Sequence, residues 1–153
     1  MIEVCKPEIE DLWFRQLILS DSETMAYNRA WGGTISFPKE RWNAWYASWV
    51  ECKDGKRYYR YIMNDGVPVG EIAYHYDDEL GGYIANVIVY AKYRGRGIGG
   101  RALDLLCSAA KENGIRVLYD DISADNPAIR LFLRHGFVEA YRTGQKIVLK
   151  KRL

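Results

Sequence analysis

The stretch that decides the fold reads Arg94-Gly95-Arg96-Gly97-Ile98-Gly99-Gly100. It lies between an apolar run, residues 84–89, and an amphipathic run, residues 98–110, which indicates a strand, a tight turn and the start of a helix. Glycine lets the backbone approach a ligand closely, and the free N–H groups of a helix N-terminus bind anions. Two arginines on the same loop add positive charge in a geometry that suits phosphate. The stretch therefore predicts a binding site for a phosphate or pyrophosphate.

Two common phosphate-binding motifs fit this loop poorly. A Walker A loop has a Lys followed by Ser or Thr after its glycines, and neither dipeptide follows these glycines. Gly95, Gly97 and Gly100 have the spacing of a dinucleotide-binding fingerprint, and Asp120 and Asp121 lie near the distance expected for its acidic residue. However, the loop comes about two-thirds of the way along the chain. Too little sequence follows it for a doubly wound dinucleotide domain.

Two blocks of sequence together resemble one family. The first, Arg94-x-x-Gly97-x-Gly99, matches the Arg/Gln-x-x-Gly-x-Gly/Ala signature with which the GNAT N-acetyltransferase superfamily holds the pyrophosphate of acetyl-CoA. The second, residues 126–137, resembles the Asn-x-x-Ala-x-x-Leu-Tyr-x-x-x-Gly-Phe block of that family, with the alanine displaced and Phe132 in place of the tyrosine. The resemblance covers residues 82–137, and the N-terminal third matches only in general layout.

The resemblance implies an α+β (mixed α/β) fold in which helices flank a central mixed sheet of about six to seven strands. Residues 1–153 are expected to form a single domain of this kind. Two parallel strands, near residues 83–89 and 115–122, are expected to splay apart and admit the pantetheine arm of acetyl-CoA. The implied cofactor contacts are Val87, Val89, Arg94, Gly95, Arg96, Gly97, Ile98, Gly99, Gly100, Asn126 and Phe132. For Asn126, a helix cap is an equally good interpretation.

The apolar periodicity of the chain agrees with this layout. Helices are predicted near residues 9–18, from Pro38 onwards, over residues 98–113, and from a cap at Asp125 or Asn126 with Pro127 at the first helical position. Residues 57–63 and 67–76 are predicted to form a hairpin, and residues 137–141 and 146–150 a second one. The apolar stripe of the first helix consists of Ile9, Leu12, Trp13, Leu17 and Ile18. The stripe of the second consists of Trp42, Trp45, Tyr46 and Trp49.

A transfer of an acetyl group to an amine needs a base, and two residues are candidates. Glu71 and His75 lie on one face of a predicted strand, because side chains alternate along a strand. Either could accept the proton directly or through water, and either is also explained as an ordinary polar position. A backbone N–H near Val89 is expected to polarise the thioester carbonyl, in the manner of an oxyanion hole.

The general acid of the family has no counterpart, because Phe132 stands at the position of its tyrosine. A free thiol titrates at about 8.5, so the thiolate can leave unaided. Three other tyrosines could substitute, and the sequence does not select among them: Tyr90, Tyr93 and Tyr119.

The amino-acid composition indicates which classes of partner the chain is expected to bind. The chain has 48% apolar and 27% charged residues and a net charge of +2, which is typical of a globular domain without strong attraction for nucleic acid or membranes. The start of the sequence lacks the pattern of a signal peptide, so a cytoplasmic location is expected. Cys5, Cys52 and Cys107 are scattered and lack the spacing of a metal site, so no metal is expected. Many members of the family dimerise, and a homodimer is therefore an option.

These observations predict an acetyl-CoA-dependent N-acetyltransferase that acts on a primary amine. A polyamine, an amino acid or an aminoglycoside is expected, since no extension for docking a peptide is visible. One alternative is a catalytically silent sensor of acyl-CoA, and another is an enzyme that acetylates a protein N-terminus or lysine. A third is a nucleotide-binding module that would prefer ADP-type ligands to coenzyme A.

Overall fold

The computed structural model describes all residues from Met1 to Leu153. It contains one seven-stranded sheet with the strand order β1-β2-β3-β4-β5-β7-β6. The strands are β1 Ile2–Cys5, β2 Arg57–Asn64, β3 Val67–Asp77, β4 Gly82–Val89, β5 Val117–Ser123, β6 Val138–Thr143 and β7 Lys146–Arg152. All neighbouring strands are antiparallel except β4 and β5. The predicted α+β fold with a mixed sheet is confirmed.

Four α-helices cover the two faces of the sheet. They are α1 Trp13–Ser20, α2 Trp42–Trp49, α3 Ile98–Glu112 and α4 Ile129–Arg134. Shorter 3-10 segments lie at Ile9–Leu12, Thr24–Trp31, Lys39–Arg41 and Ala91–Tyr93. All four helices were predicted, and α3 agrees with the predicted range to within a residue. Its C-terminal stop is Gly114, which has a φ of 86°.

Two of the predicted helical details are wrong. In the first helix, Trp13 and Leu17 are exposed, whereas Phe14 and Leu19 are buried. The 3-10 segment before α1 has fewer residues per turn than an α-helix, so the apolar stripe changes phase where the two meet. The last helix starts at Ile129 rather than at Pro127, because Pro127 lies in a turn in which Asn126 Oδ1 accepts a hydrogen bond of 2.9 Å from the Ala128 N–H.

Each face of the sheet has its own apolar core. The α3 core lies between the sheet and the helices α3 and α4, and its fully buried members include Ile72, Leu103, Leu106, Leu118 and Leu149. The α1 core lies on the opposite face, under α1 and α2, and includes Phe14, Ile18, Trp42, Tyr46 and Ile88. Residues alternate between the two cores along β3 and β4, as expected for a sheet that is covered on both sides.

The parallel pair β4 and β5 separates part-way along its length. The two strands pair only at Tyr83 with Leu118 and at Ile84 with Tyr119. β4 then continues to Val89 and β5 continues to Ser123, but the two strands no longer pair with each other. The gap between residues 85–89 and residues 120–123 is called the wedge below. The expected splaying of these two strands is confirmed.

A close approach of β3 to β4 positions the end of the wedge. A Cβ atom on Gly70 would lie 2.3 Å from the carbonyl oxygen of Ile88 and 3.1 Å from Cα of Val89. Because both of these atoms belong to the backbone, neither can move without shifting β4. Gly70 is therefore required for the position of residues 88 and 89.

We expect Gly70→Ala to lower the free energy of unfolding by about 1–3 kcal/mol, because the added methyl group overpacks the junction of two strands. Chemical denaturation measures this change. Val67→Ala, at the exposed start of the same strand, is the control and should change stability by less than about 0.5 kcal/mol. A Gly70→Ala variant as stable as the control would contradict the proposed packing constraint.

Candidate functional site

The glycine loop joins the end of β4 to the start of α3. After Val89 the chain passes through the 3-10 segment Ala91–Tyr93 and reaches the helix at Ile98. Gly95 and Gly97 have φ values of 79° and 78°, in the left-handed region that favours glycine. A Cβ on either residue would meet no atom within 4 Å. These two glycines are therefore required by backbone conformation rather than by lack of space.

The first turn of α3 presents free backbone donors. The N–H groups of Ile98, Gly99 and Gly100 precede the first turn of hydrogen bonds, and the first N–H to reach back is that of Arg101, which donates to the carbonyl of Gly97 at 3.3 Å. Gly97 is the N-terminal cap and offers no side chain to satisfy these groups. Since α3 is a helix of 15 residues, its N-terminus attracts an anion.

Gly99 and Gly100 also allow α4 to pack against α3. A Cβ on Gly100 would lie 2.6 Å from His135 Nε2, and one on Gly99 would lie 3.2 Å from a methyl group of Leu131. His135 Nδ1 lies 2.8 Å from Asp104 Oδ1, one turn further along α3. The helix pair therefore provides a packing reason for both glycines, beside their predicted role in ligand binding.

The two loop arginines differ in what they contact. Arg94 Nε donates to the carbonyl of Val89 at 3.2 Å, and Arg94 Nη2 donates to the carbonyl of Thr24 at 2.8 Å. Arg94 thus connects the loop to the end of β4 and to the segment Thr24–Trp31. Arg96 is exposed, and the structure gives it one neighbour, the ring of Tyr93, with Cζ 5.9 Å from the ring centroid. Arg96 is the arginine that is free to meet a phosphate.

Val87 and Val89 border the wedge with their backbone. The N–H of Tyr90 donates to the carbonyl of Val69 at 2.9 Å, so the even-numbered residues at this end of β4 hydrogen-bond to β3. The N–H groups of Val87 and Val89 therefore point to the side on which β5 has separated. A Cβ on Gly99 would lie 3.7 Å from Val89 Cγ2, so the wedge ends beside the first turn of α3.

Asn126 and Phe132 lie in the second sequence block. The Asn126 side chain accepts the hydrogen bond from Ala128 described above, which agrees with its interpretation as a cap. Phe132 is only 4% exposed and packs edge-to-face against Phe137 at 5.0 Å, within the α3 core. A contact of either side chain with a cofactor stays a prediction.

Glu71 and His75 face the α1 core from β3, and they lie in different surroundings. Both oxygens of Glu71 accept from Arg15 Nη1, at 2.6 and 2.5 Å, and the Glu71 side chain is fully buried. His75 packs edge-to-face against Trp49, and burial lowers its pKa. His75 pairs with Ile84, roughly 17 Å along β4 from Val89. The structure therefore does not bring His75 to the glycine loop, and it leaves Glu71 without a free oxygen.

Asp120 is a third candidate base, in addition to Glu71 and His75, and the sequence motifs did not single it out for this role. It lies on β5 directly after the last residue that pairs with β4, at the opening of the wedge. Its carboxylate accepts one hydrogen bond, of 2.9 Å, from the Asp121 N–H. Burial raises the pKa of Asp120 to about 7, and the negative charge of Asp121 raises it further while the Asp121 N–H lowers it. The alternation Leu118, Asp120, Ile122 was the available signal, because it places Asp120 on a core-facing side.

Tyr27 lies in the segment that follows α1, and the residue as a whole is 41% exposed. Burial of its phenol raises the pKa to about 12, with smaller contributions from the charges of Glu71, Arg15, Arg94 and Asp120. The hydroxyl group therefore stays protonated at neutral pH. Nothing in the local sequence pattern marks this tyrosine.

Several other features of the chain lie away from the glycine loop. A cleft of about 580 Å³ lies between α2 and the start of β2, with Cys52, Arg57 and Tyr76 in its wall, away from the loop. No group of three or more His, Cys, Asp or Glu side chains is arranged to hold a metal ion. All three cysteines are free thiols. None of the helices combines the length and apolar character needed to cross a membrane.

Comparison with known proteins identifies the family. The sequence profile of the acetyltransferase (GNAT) family matches residues 18–137, which include the glycine loop, the wedge and α4. The chain belongs to the GNAT family. It is accordingly an acyltransferase, and the predicted family is confirmed. No curated protein sequence matches the chain.

Solved structures share the GNAT fold at low sequence identity. PaiA N-acetyltransferase from Thermoplasma acidophilum, in complex with coenzyme A, is 17% identical with a TM-score of 0.69 and covers 100% of this chain and 99% of its own. Ribosomal-protein-alanine N-acetyltransferase from Brucella melitensis is 22% identical with a TM-score of 0.77 and covers 99% of both chains. The GNAT domain of S. lividans PAT is 16% identical with a TM-score of 0.81 and covers 99% of this chain and 90% of its own.

The raised pKa of Asp120 predicts how stability depends on pH. An unfolded aspartate titrates at about 3.9, so between about pH 4 and pH 7 the folded chain binds one more proton at Asp120 than the unfolded chain does. The contribution of this group is present below pH 4 and is lost as the pH rises to about 7. We expect Asp120→Asn to become more stable relative to wild type from pH 5 to pH 8, in denaturation experiments at both values. The neighbouring, exposed Asp121 provides the control Asp121→Asn, and a pH-independent difference for Asp120→Asn would contradict the prediction.

Proposed function

We propose that this GNAT protein transfers the acetyl group of acetyl-CoA to the primary amine of a small molecule, and that residues 1–153 form a single domain. The observation that carries this proposal is the row of free N–H groups at the start of α3, at the end of an open wedge between β4 and β5. The complex of PaiA with coenzyme A supports the choice of ligand, since that structure has the same fold. A cytoplasmic location and a homodimer stay predictions.

The residues of the loop fit a pyrophosphate. The N–H groups of Gly97, Ile98, Gly99 and Gly100 would hold it, with the free guanidinium of Arg96 beside them. Val87 would pair with an amide group of the pantetheine arm, as an added strand would, and the Val89 N–H would be left for the thioester. When acetyl-CoA is bound in this way, it supplies a thioester near the Val89 N–H, which is aimed into the wedge to hold the carbonyl oxygen. Arg94 contributes by fixing the end of β4.

Asp120 is the carboxyl group best placed to take a proton from the acceptor ammonium group. A base is most effective when its pKa lies near the working pH, and burial brings the pKa of Asp120 to about 7. Glu71 is held by Arg15, and His75 packs against Trp49 on the α1 side of β3, away from the wedge, so a catalytic role for either one receives less support from the geometry. Since Phe132 is buried without a hydroxyl group, we propose that the thiolate leaves without a tyrosine at that position.

A protein acceptor is the second candidate. The Brucella structure is named as a ribosomal-protein-alanine N-acetyltransferase, and its match covers 99% of this chain. A silent acyl-CoA sensor is the remaining alternative, and binding without turnover would favour it. Thiol release measured with small amines, with peptides bearing a free N-terminus and with a lysine peptide separates these three functions.

Calorimetric titration with acetyl-CoA tests the glycine loop. We expect Arg96→Ala to weaken acetyl-CoA binding by about tenfold, because it removes a charge-assisted hydrogen bond, while the stability of the fold is unchanged. Arg116→Ala is the matched control, because Arg116 is also exposed and lies at the opposite end of α3. Equal affinities for wild type, Arg96→Ala and the control would exclude Arg96 from the pyrophosphate site. An absence of binding to wild type would overturn the proposed function.

The pH dependence of thiol release tests Asp120. We expect kcat/KM to rise with pH and to level off above about 7, because the base must be ionised to accept a proton. Asp120→Asn should lower kcat/KM by roughly 100-fold or more and remove this limb of the profile. Asp121→Asn should keep the activity, with the limb moved to lower pH because the Asp121 charge that raises the pKa of Asp120 is removed. Full activity in Asp120→Asn would assign the base to another residue, and Glu71→Gln and His75→Gln would then be compared.

A further inference from the structure

The α1 core contains one buried ion pair, between Arg15 of α1 and Glu71 of β3. Arg15 Nη1 donates to both carboxylate oxygens, and the side chains are 17% and 0% exposed. The Glu71 charge raises the pKa of Arg15, although burial by itself lowers it. The guanidinium therefore stays charged in an apolar layer, where each unpaired donor is costly.

Three aromatic rings hold this guanidinium in place. Its Cζ lies 4.3 Å from the ring centroid of Trp45, 5.1 Å from that of Phe37 and 5.4 Å from that of Tyr59. Together with Glu71, these rings fix the plane of the guanidinium. A cation held so firmly has its remaining donors pointing in fixed directions.

The opposite edge of the guanidinium makes no hydrogen bond of ordinary geometry. Arg15 Nε is buried and has no hydrogen-bond partner, and Nη2 also has none in the chain. The Tyr59 hydroxyl lies beside Arg15 and Glu71 but likewise makes no hydrogen bond of ordinary geometry. Nε and Nη2 are the two parallel donors of the guanidinium fork, and this fork matches the two oxygens of one carboxylate.

The position of the Arg15 guanidinium in the fold suggests that its ligand is the acceptor substrate. Glu71 pairs with Ile88, the residue before Val89, whose N–H we assign to the thioester oxygen. Arg15 therefore lies above the reactive end of β4, on the face opposite the α3 core.

We propose that Arg15 binds an anionic group of the acceptor through Nε and Nη2, so that the substrate is an amine that also carries a carboxylate, as amino acids do. This inference rests on the proposed function and narrows its substrate class. It disfavours polyamines and aminoglycosides, because a polycation would meet a fixed guanidinium charge near the acceptor amine. Glu71 then acts as the residue that orients Arg15 rather than as the base.

Matched acid and amide acceptors test the inference in the wild-type enzyme. Each α-amino acid is compared with its own amide, which keeps the amine and the side chain but removes the negative charge. We expect kcat/KM for thiol release to be at least about tenfold higher for the acid, the factor expected for a charge-assisted pair. Equal or faster turnover of the amide, or turnover confined to polyamines, would overturn the inference and leave the acetyltransferase proposal intact.

A substitution then assigns the preference to Arg15. Arg15→Lys keeps a positive charge for Glu71 and removes the fork, so the ratio of kcat/KM for the acid to kcat/KM for the amide should fall to about one. The double variant Arg15→Met with Glu71→Leu removes both charges and should also lose the preference, without leaving a buried carboxylate unpaired. Arg41→Lys is the control on an exposed arginine. A preference retained in both folded variants would overturn the assignment to Arg15.

If acetyl-CoA binds but no amine is turned over, the affinities for the acid and for its amide test the proposed anion site instead. The acid and its amide are then titrated by calorimetry into the protein saturated with coenzyme A. Binding of the acid at least about tenfold tighter than the amide supports the anion site, and equal or undetectable binding overturns it. If acetyl-CoA itself does not bind, the proposed function fails, and the same pair of titrations into the free protein still tests Arg15.

Discussion

The separation of β4 from β5 after two paired positions is the constraint on which the rest of the site depends. Backbone groups inside a sheet are normally paired, and leaving them unpaired costs free energy unless water or a ligand satisfies them. Here the unpaired N–H groups of Val87 and Val89 lead to the free N–H groups of α3. One continuous line of backbone donors and acceptors is thus formed from two different elements. A ligand with an amide-containing arm and a pyrophosphate satisfies both parts at once.

The segment Thr24–Trp31, which follows α1, is hydrogen-bonded to the loop between β4 and α3. The Thr24 hydroxyl accepts a hydrogen bond of 2.9 Å from the Ala91 N–H and donates to Asp21 at 2.5 Å, and Thr24 is fully buried. Its carbonyl also accepts from Arg94. The glycine loop is therefore anchored to the chain that follows α1. Because Arg15 lies on α1, the elements that would bind the acceptor and those that would bind the cofactor share one set of hydrogen bonds.

The sequence allowed some of these features to be predicted and not others, for physical reasons. The loop and α3 were predicted because glycines and an apolar period act locally, within one turn of chain. The wedge could be expected only from the resemblance to a family. No local sequence pattern shows where two parallel strands that are connected through a helix will separate. The stripe of α1 was wrong at Trp13 and Leu17, because a 3-10 turn shifted its phase. The pairing of Arg15 with Glu71 joins residues 56 positions apart, so no local pattern contains it.

Asp120 and Arg15 share a property that explains why the sequence motifs did not predict them as site residues and why we propose a functional role for each. Each is an ionisable residue in an environment where the fold otherwise places apolar side chains, Asp120 between Leu118 and Ile122 and Arg15 among aromatic rings. Burying a charge is unfavourable, so a fold that needed only stability would place apolar residues there. The two exceptions lie at the two sides of the same opening, one beside the wedge and one above the end of β4. Local rules are commonly broken at functional sites, and here one break lies where β4 and β5 part and the other beside the end of β4.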